Sequence, residues 1–325
     1  MTVWREIAGL LRRHGQCAMV TVVEVQGSAP REAGARLFVV EDGGYLGTIG
    51  GGALEWQAIA AAQRAIAQQQ TRPRLSSAVL GPNLGQCCGG RVKLLTEIFA
   101  SADLSWIDDF ARNEGEAPFS TELNLGVEPA HRRIVERRGG SDPLEFDGAI
   151  LSETFGAKPR CVFLFGAGHV GRALALALAP LPFSVTWIDS RAEAFPSVFP
   201  ANVTPRLAGN PARLLEAGPR GAFAVVMTHS HALDLDIVRE ALKLDRFGYI
   251  GLIGSETKKA RFLSRLRAAG IGETQLRTLV CPIGIPGIKS KHPATIAASA
   301  AAELLKRDEQ LKLGARPVSE ARRIA

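Results

Sequence analysis

The sequence predicts an α/β chain in two parts: an N-terminal α+β domain, then a Rossmann-like domain with a doubly wound parallel sheet. Three observations lead there. At 325 residues the chain is longer than one typical hydrophobic core supports. From Cys161 onward, short β-branched and aromatic runs alternate with helical spacing, the pattern of parallel strands joined by crossover helices. Within that region Gly166-Ala167-Gly168-His169-Val170-Gly171 follows a buried-type strand and opens a helix. That context turns a weak glycine pattern into a strong one. The spacing gives domains at 1–157 and 158–313, with 314–325 as a loose tail.

In chain order, residues 3–14 place Val3, Ile7, Leu10 and Leu11 on one helical stripe. Residues 18–25 and 35–40 are β-branched strands, and Asp42-Gly43-Gly44 is a hairpin signal after the second. Residues 53–70 form a helix that ends in three glutamines, and 91–99 a strand. The stretch 100–158 is polar and irregular, with one helix near 103–113 and two weak strands. In the second part, strands are expected at 161–165, 183–188, 203–208, 223–228, 249–253 and 278–282. Helices are expected at 170–179, 234–243, 256–269 and 293–306.

Composition narrows the function classes. The chain is 46% hydrophobic and 22% charged, with a net charge of +7 spread among acids. Only 6% is aromatic, so nucleic acid is not an expected partner. The longest apolar run, Ala173 to Val185, contains two prolines and is too short to span a bilayer, so neither is a membrane. The densest basic cluster, from His131-Arg132-Arg133 to Arg137-Arg138, is short and reads as a solvated surface. Cys17, Cys87, Cys88, Cys161 and Cys281 form no extracellular disulfide spacing, and the first residues lack an apolar leader core, so a cytoplasmic location is expected.

Several motifs carry chemistry. In the glycine turn, Gly166 makes the bend, Gly168 admits a phosphate and Gly171 lets helix approach strand, with His169 in the loop. Asp189 ends the next strand, where an acid holds a ribose hydroxyl in dinucleotide sites. His229 and His231, followed by Asp234 and Asp236, suggest a metal site but fall out of step with a binuclear hydrolase box. Asp234 also suits a helix N-cap. Ser255 heads another strand-to-helix turn on the same sheet edge, and Lys289 and Lys291 sit in a third loop there. In the first domain, Gly27-Ser28-Ala29-Pro30-Arg31 is a turn with an Arg. Gly50, Gly51 and Gly52 precede a helix and suggest an oxyanion cradle. Finally, Gln86-Cys87-Cys88 lies between glycines. Without a second Cys/His pair, structural zinc is not expected. Without Cys-x-x-Cys spacing, a redox pair is not either. A soft-metal or sulfur-relay role for Cys87 or Cys88 remains, beside an inert turn.

The blocks Val25–Arg31, Gly47–Glu55 and Leu84–Gly90, then Phe165–Gly171, Met227–Asp234, Tyr249–Ser255 and Val280–Gly284, together resemble the xanthine dehydrogenase accessory proteins of the XdhC/CoxI family. The resemblance runs in one order from about Val20 to Leu305. It implies a carrier, without turnover of its own, that binds the molybdenum cofactor in its molybdopterin form. Such a carrier holds the cofactor during sulfuration and inserts it into xanthine dehydrogenase. It also implies a cysteine desulfurase as sulfur donor. Cys87 or Cys88 is then the expected molybdenum contact, and a two-domain carrier that docks two partners in turn is expected to be a homodimer. Gln86, Arg31, Gly50, Gly51, Gly52, Gly166, Gly168, His169, Gly171, Asp189, His229, His231 and Ser255 are the candidate cofactor-binding residues. An NAD(P)-dependent oxidoreductase using the Rossmann half is the rival reading, and a metal hydrolase at His229 a third.

Overall fold

The computed structural model describes residues 2–81, 89–136 and 143–314. The chain divides into two units, Met1–Lys158 and Pro159–Ala325.

Unit 1 begins with α1 (Val3–His14), which Gly15 closes in a left-handed conformation. The long strand β1 (Gln16–Gln26) follows. Next come β2 (Arg36–Val39), β3 (Tyr45–Gly47), α2 (Gly52–Ala67), β4 (Arg74–Val79) and β5 (Arg91–Ala100). The strands form one antiparallel sheet in the order β3-β2-β1-β5-β4. Successive residues of β1 point to opposite faces. Ala18, Val20 and Val22 pack with Leu54, Ile59 and Ile66 of α2. Cys17 and Met19 pack with Trp4 and Ile7 of α1 and with Phe110 of α3 (Leu104–Glu116). Helices therefore cover both faces, which is why β1 reads as an apolar run rather than an alternation. Burial, with the nearby Asp103, pushes the Cys17 thiol up to about 12, so it behaves as a core residue.

The polar stretch after residue 100 corrects the sequence expectation of two weak strands. Among the described residues it holds four: β6 (Phe119–Asn124), β7 (Arg132–Val135), β8 (Leu144–Phe146) and β9 (Ile150–Phe155), in the antiparallel order β7-β6-β9-β8. These strands bury charge as well as hydrocarbon, with Arg132 and Glu153 buried beside Leu123, Leu151 and Phe155. Arg132 is a second correction, because it is buried rather than part of a solvated basic surface. Its Nε and Nη2 donate to Glu97 of β5 at 2.9 and 2.8 Å, and its Nη1 lies 2.6 Å from Glu153 of β9. Arg36 of β2 bonds the other oxygen of Glu153. Arg36 also lies over the Phe155 ring, while Arg132 faces both Trp4 and Phe155. An Arg36–Glu153–Arg132–Glu97 chain thus joins the two sheets of unit 1. Arg137 and Arg138 lie outside the described residues.

Unit 2 consists of β10 (Arg160–Phe165), α4 (His169–Ala177), β11 (Phe183–Asp189), β12 (Val203–Leu207), β13 (Phe223–Val226), α5 (His231–Leu244), β14 (Tyr249–Leu252), α6 (Glu256–Ala268), the short α7 (Glu273–Leu276), β15 (Leu279–Val280) and α8 (Pro293–Gly314). The parallel sheet runs β12-β11-β10-β13-β14-β15, the 3-2-1-4-5-6 order of the dinucleotide-binding folds. Val162 and Leu164 face α4 and α8 through Leu174, Ala297 and Leu304. Phe163 and Phe165 face α5 and α6 through Val238, Ala241 and Leu266. The last helix extends to Gly314, eight residues past its expected end, and 315–325 lie outside the described residues. Among the described residues, no helix is long and apolar enough to cross a membrane.

Candidate functional site

In unit 1 three separate sequence motifs meet. β1 ends at Gln26, and Gly27 turns the chain with φ 71°. Ser28 then pairs in a parallel bridge with Gly89, the residue after the double cysteine. Gly90 is pressed so closely that a Cβ there would lie 2.2 Å from Ser28 O and 2.7 Å from Gln26 O. Its own carbonyl accepts from Leu80 N at 2.7 Å. Gly50, at φ 128°, lies against Pro30, so a Cβ would come within 2.7 Å of Pro30 Cγ. The turns at 27–31, 48–52 and 89–90 therefore form one cluster at the end of β1 and the start of β5. Arg31 is half-buried and paired with Glu32. Gln86, Cys87 and Cys88 lie outside the described residues.

The glycine cradle is already filled from within. Glu55 Oε2 accepts from Thr48 Oγ1 at 2.5 Å, Ile49 N at 3.0 Å and Gly51 N at 3.2 Å, and Gly50 N donates to Thr48 Oγ1. A carboxylate of the chain's own thus holds the donors that an external oxyanion would need. Gly52 begins α2 and is exposed.

Unit 2 builds its site at the carboxyl ends of β10 and β13, where strand order reverses. Gly166, at φ 112°, abuts the end of β13, and a Cβ would stand 2.3 Å from Met227 O. At Gly171 a Cβ would reach within 2.0 Å of Gly166 O, so only glycine lets α4 seat on the turn. Gly168 has nothing within 4 Å of a built Cβ and faces open space. His169, the first residue of α4, is exposed beside it. Asp189 is buried, and its Oδ2 accepts from Ala167 N at 2.7 Å, fastening β11 to the glycine turn. Arg191 closes on the same carboxylate through Nε and Nη2, both at 3.0 Å. Burial disfavours the charged form of Asp189, but these donors outweigh it and hold its carboxyl below the ordinary range.

The next loop corrects one expectation. Ser230, not Asp234, caps α5, its hydroxyl accepting from Leu233 N. Asp234 lies one turn inside the helix, fully buried. Its Oδ1 accepts from Thr228 N and Oγ1 at 3.0 and 2.7 Å, and its Oδ2 from Lys258 Nζ at 2.7 Å. Lys258 also donates to Ile253 O at 2.9 Å. The pair ties the β13–α5 loop to the β14–α6 loop, leaving His229 and His231 exposed at the rim. Ser255 is exposed and caps α6 through Lys258 N. Among the described residues, no three His, Cys, Asp or Glu side chains gather as a metal-ligating group.

Comparison with known proteins identifies the family. Residues 162–304 match the XdhC Rossmann domain, and residues 10–77 match the XdhC and CoxI family. The chain belongs to the XdhC and CoxI family. It is 25% identical over 292 residues to the molybdenum cofactor insertion chaperone PaoD of Escherichia coli K12, covering 88% of this chain and 81% of PaoD. It is 27% identical over 330 residues to a probable xanthine dehydrogenase subunit of Bacillus subtilis 168, covering 91% and 94%. It is 26% identical to the uncharacterized protein YqeB of Escherichia coli K12 over 94% of this chain, but spans only 46% of that protein. In fold it is similar to the crystal structure of a xanthine dehydrogenase from Bacillus halodurans, with a TM-score of 0.79 at 22% identity, covering 98% and 99% of the two chains.

In this XdhC/CoxI-family chain, Arg191 and Lys258 are site-shaping residues that the motifs alone did not single out. The available signals were Arg191 two residues after Asp189, and Lys258 in the first turn of the helix that Ser255 heads. Because Asp234 is wholly buried, Lys258→Met should destabilise unit 2 by about 3 kcal/mol by leaving a buried carboxylate unpaired. Asp234→Asn/Lys258→Met should lose less than Lys258→Met. Denaturant unfolding of the variants checks both statements, and equal losses would contradict the pairing.

Proposed function

We propose that this chain carries the molybdenum cofactor and inserts it into an enzyme of the xanthine dehydrogenase type, holding it while an oxo ligand on molybdenum is exchanged for sulfido. The reading is carried by the meeting of turns 27–31, 48–52 and 89–90 in unit 1, with Cys87 and Cys88 adjoining Gly89 in sequence. The family membership supports it, and so does the name of the relative PaoD. A molybdenum–dithiolene centre suits soft thiolate neighbours, so Cys87 or Cys88 would meet the metal, with Gln86 and Arg31 beside it.

Because Glu55 already holds the Ile49 and Gly51 amides, those groups do not serve a phosphate. Taken by itself, unit 2 offers an edge that would receive an anion at Gly166, Gly168, His169 and Gly171, flanked by Arg191, with His229, His231 and Ser255 on the same edge. A cysteine desulfurase would supply sulfur, the carrier would be a cytoplasmic homodimer, and it would turn over no substrate of its own. The NAD(P) reading finds less support, since Asp189 already takes an amide and a guanidinium where a ribose hydroxyl would bond.

The test is retention. Purified protein mixed with molybdenum cofactor and passed through gel filtration should keep molybdenum and phosphate near one per chain. Cys87→Ala/Cys88→Ala should retain at least about tenfold less molybdenum, in line with the loss of a metal-ligand contact. Substoichiometric retention together with saturable NAD(H) binding and turnover would reverse the assignment.

A further inference from the structure

Unit 1 contains a cavity of about 430 Å³ at the opposite end of its five-stranded sheet from Gly50 and Gly90. The antiparallel register sets Gln16 against Ala100 at this end and Gln26 against Arg91 at the other, about 30 Å away at strand rise. Gln16, Gln69, Thr71 and His131 line it beside the aromatic walls of Phe99 and Trp106.

The charges in this cavity are spent. Glu97 and Arg132 at its base hold each other through two hydrogen bonds. Asp103 accepts from Ala100 N and Trp106 Nε1 at 2.9 and 3.1 Å. Among the described residues, the groups left for a ligand are the amides of Gln16 and Gln69, the Gln70 Oε1, which is buried without a partner, the Thr71 hydroxyl and the His131 imidazole. An ionic ligand would find no unpaired carboxylate or guanidinium. A neutral one with both donors and acceptors would find partners for each.

Gln69 supplies an independent sign. It follows the α2 cap with φ 51°, one of two described non-glycine residues with positive φ. Glycine is the usual residue at this position of a helix end, because a side chain there is strained. Here a glutamine occupies it, and the residue lines the cavity.

We propose that this cavity binds an uncharged, flat heterocycle of one or two rings with adjacent hydrogen-bond donors and acceptors, seated against Trp106 and Phe99 and held by Gln16 and Gln69. Its volume falls within the range of small-molecule pockets. About 30 Å separates this cavity from the cluster proposed to hold the cofactor, so the ring would be a free pterin or a free oxopurine base, and the test uses one probe of each kind. Calorimetric titration of the full chain with pterin and with hypoxanthine should show saturable binding of at least one below about 1 mM. Pterin alone binding would assign the site to a pterin, and hypoxanthine binding would extend it to free bases.

Gln69→Gly and Gln16→Ala should each weaken binding at least about tenfold, while Gln69→Gly leaves the Tm unchanged or raised by about 2 °C. No saturable binding of either probe, or binding unaltered in both variants, overturns the proposal. Molybdenum retention measured on the same preparations keeps this result separate from the carrier function.

Discussion

Arg132→Ala should be the most destabilising single substitution in unit 1. It would strip the partner from Glu97 and leave Glu153 with Arg36 alone, in a site where Arg132 and Glu153 side chains are each 1% exposed. Breaking a buried ion pair from one side costs about 3–5 kcal/mol, because the remaining charge stays desolvated. The double change Arg132→Met/Glu97→Met removes both members of one pair and keeps Glu153 with Arg36, so it should lose clearly less. Urea unfolding distinguishes these outcomes, and a loss under about 1 kcal/mol for Arg132→Ala would refute the network's role.

The same network sets an acid limit. Burial opposes the charge on Glu153, but Arg36 and Arg132 more than offset it and hold its carboxyl below the usual value. Its folded pKa is therefore lower than its unfolded one. The stabilisation is present above the ordinary glutamate pKa of about 4.3, and it is lost as pH falls through the depressed folded value. The acid-side decline in stability should flatten in Glu153→Gln at whatever stability that variant retains.

Gly90→Ala should disable the unit 1 site. The added methyl would stand 2.2 Å from Ser28 O and 2.9 Å from Ser28 C, both backbone atoms that cannot swing aside. The Ser28–Gly89 bridge would have to open, separating the 27–31 turn from the segment that bears the cysteines. Molybdenum retention should fall at least about tenfold, comparable to misplacing a reactive contact by an ångström. Gly89, at φ 66° with open space around a built Cβ, provides the control. Gly89→Asn keeps a residue that tolerates this conformation and should retain most of the cargo. Equal retention by Gly90→Ala and the unaltered chain would show that the meeting of the turns is not needed.

Unit 2 was legible because parallel strands covered on both faces are written as unbroken apolar runs. Phe163 and Val162 serve opposite cores, so neither had to be polar. The four-stranded sheet of unit 1 was not, since β6, β7 and β9 carry Thr121, Arg132 and Glu153 inward, and a buried charge looks like a surface one until its partner is placed. Glu97 lies 35 residues from Arg132, beyond any local pattern. The glycine motifs announced their turns correctly, but not what fills them. Glu55 and Asp189 were both visible as acids near glycines. That the chain's own amides engage them depends on how helix and strand pack, which spacing alone does not specify. The cap of α5 slipped from Asp234 to Ser230 for a similar reason, with Lys258 and Thr228 claiming the aspartate.

The two self-filled turns bear on how anything could bind and leave. Ile49, Gly51 and Ala167 have their amides satisfied before a ligand arrives. Neither turn needs a guest to take its shape, so no ordering entropy is charged against association there. Departure likewise leaves no frayed backbone to refold. A carrier of the kind proposed above would gain from this, because its empty and loaded forms could share one template and exchange could follow the relative grip of donor and recipient.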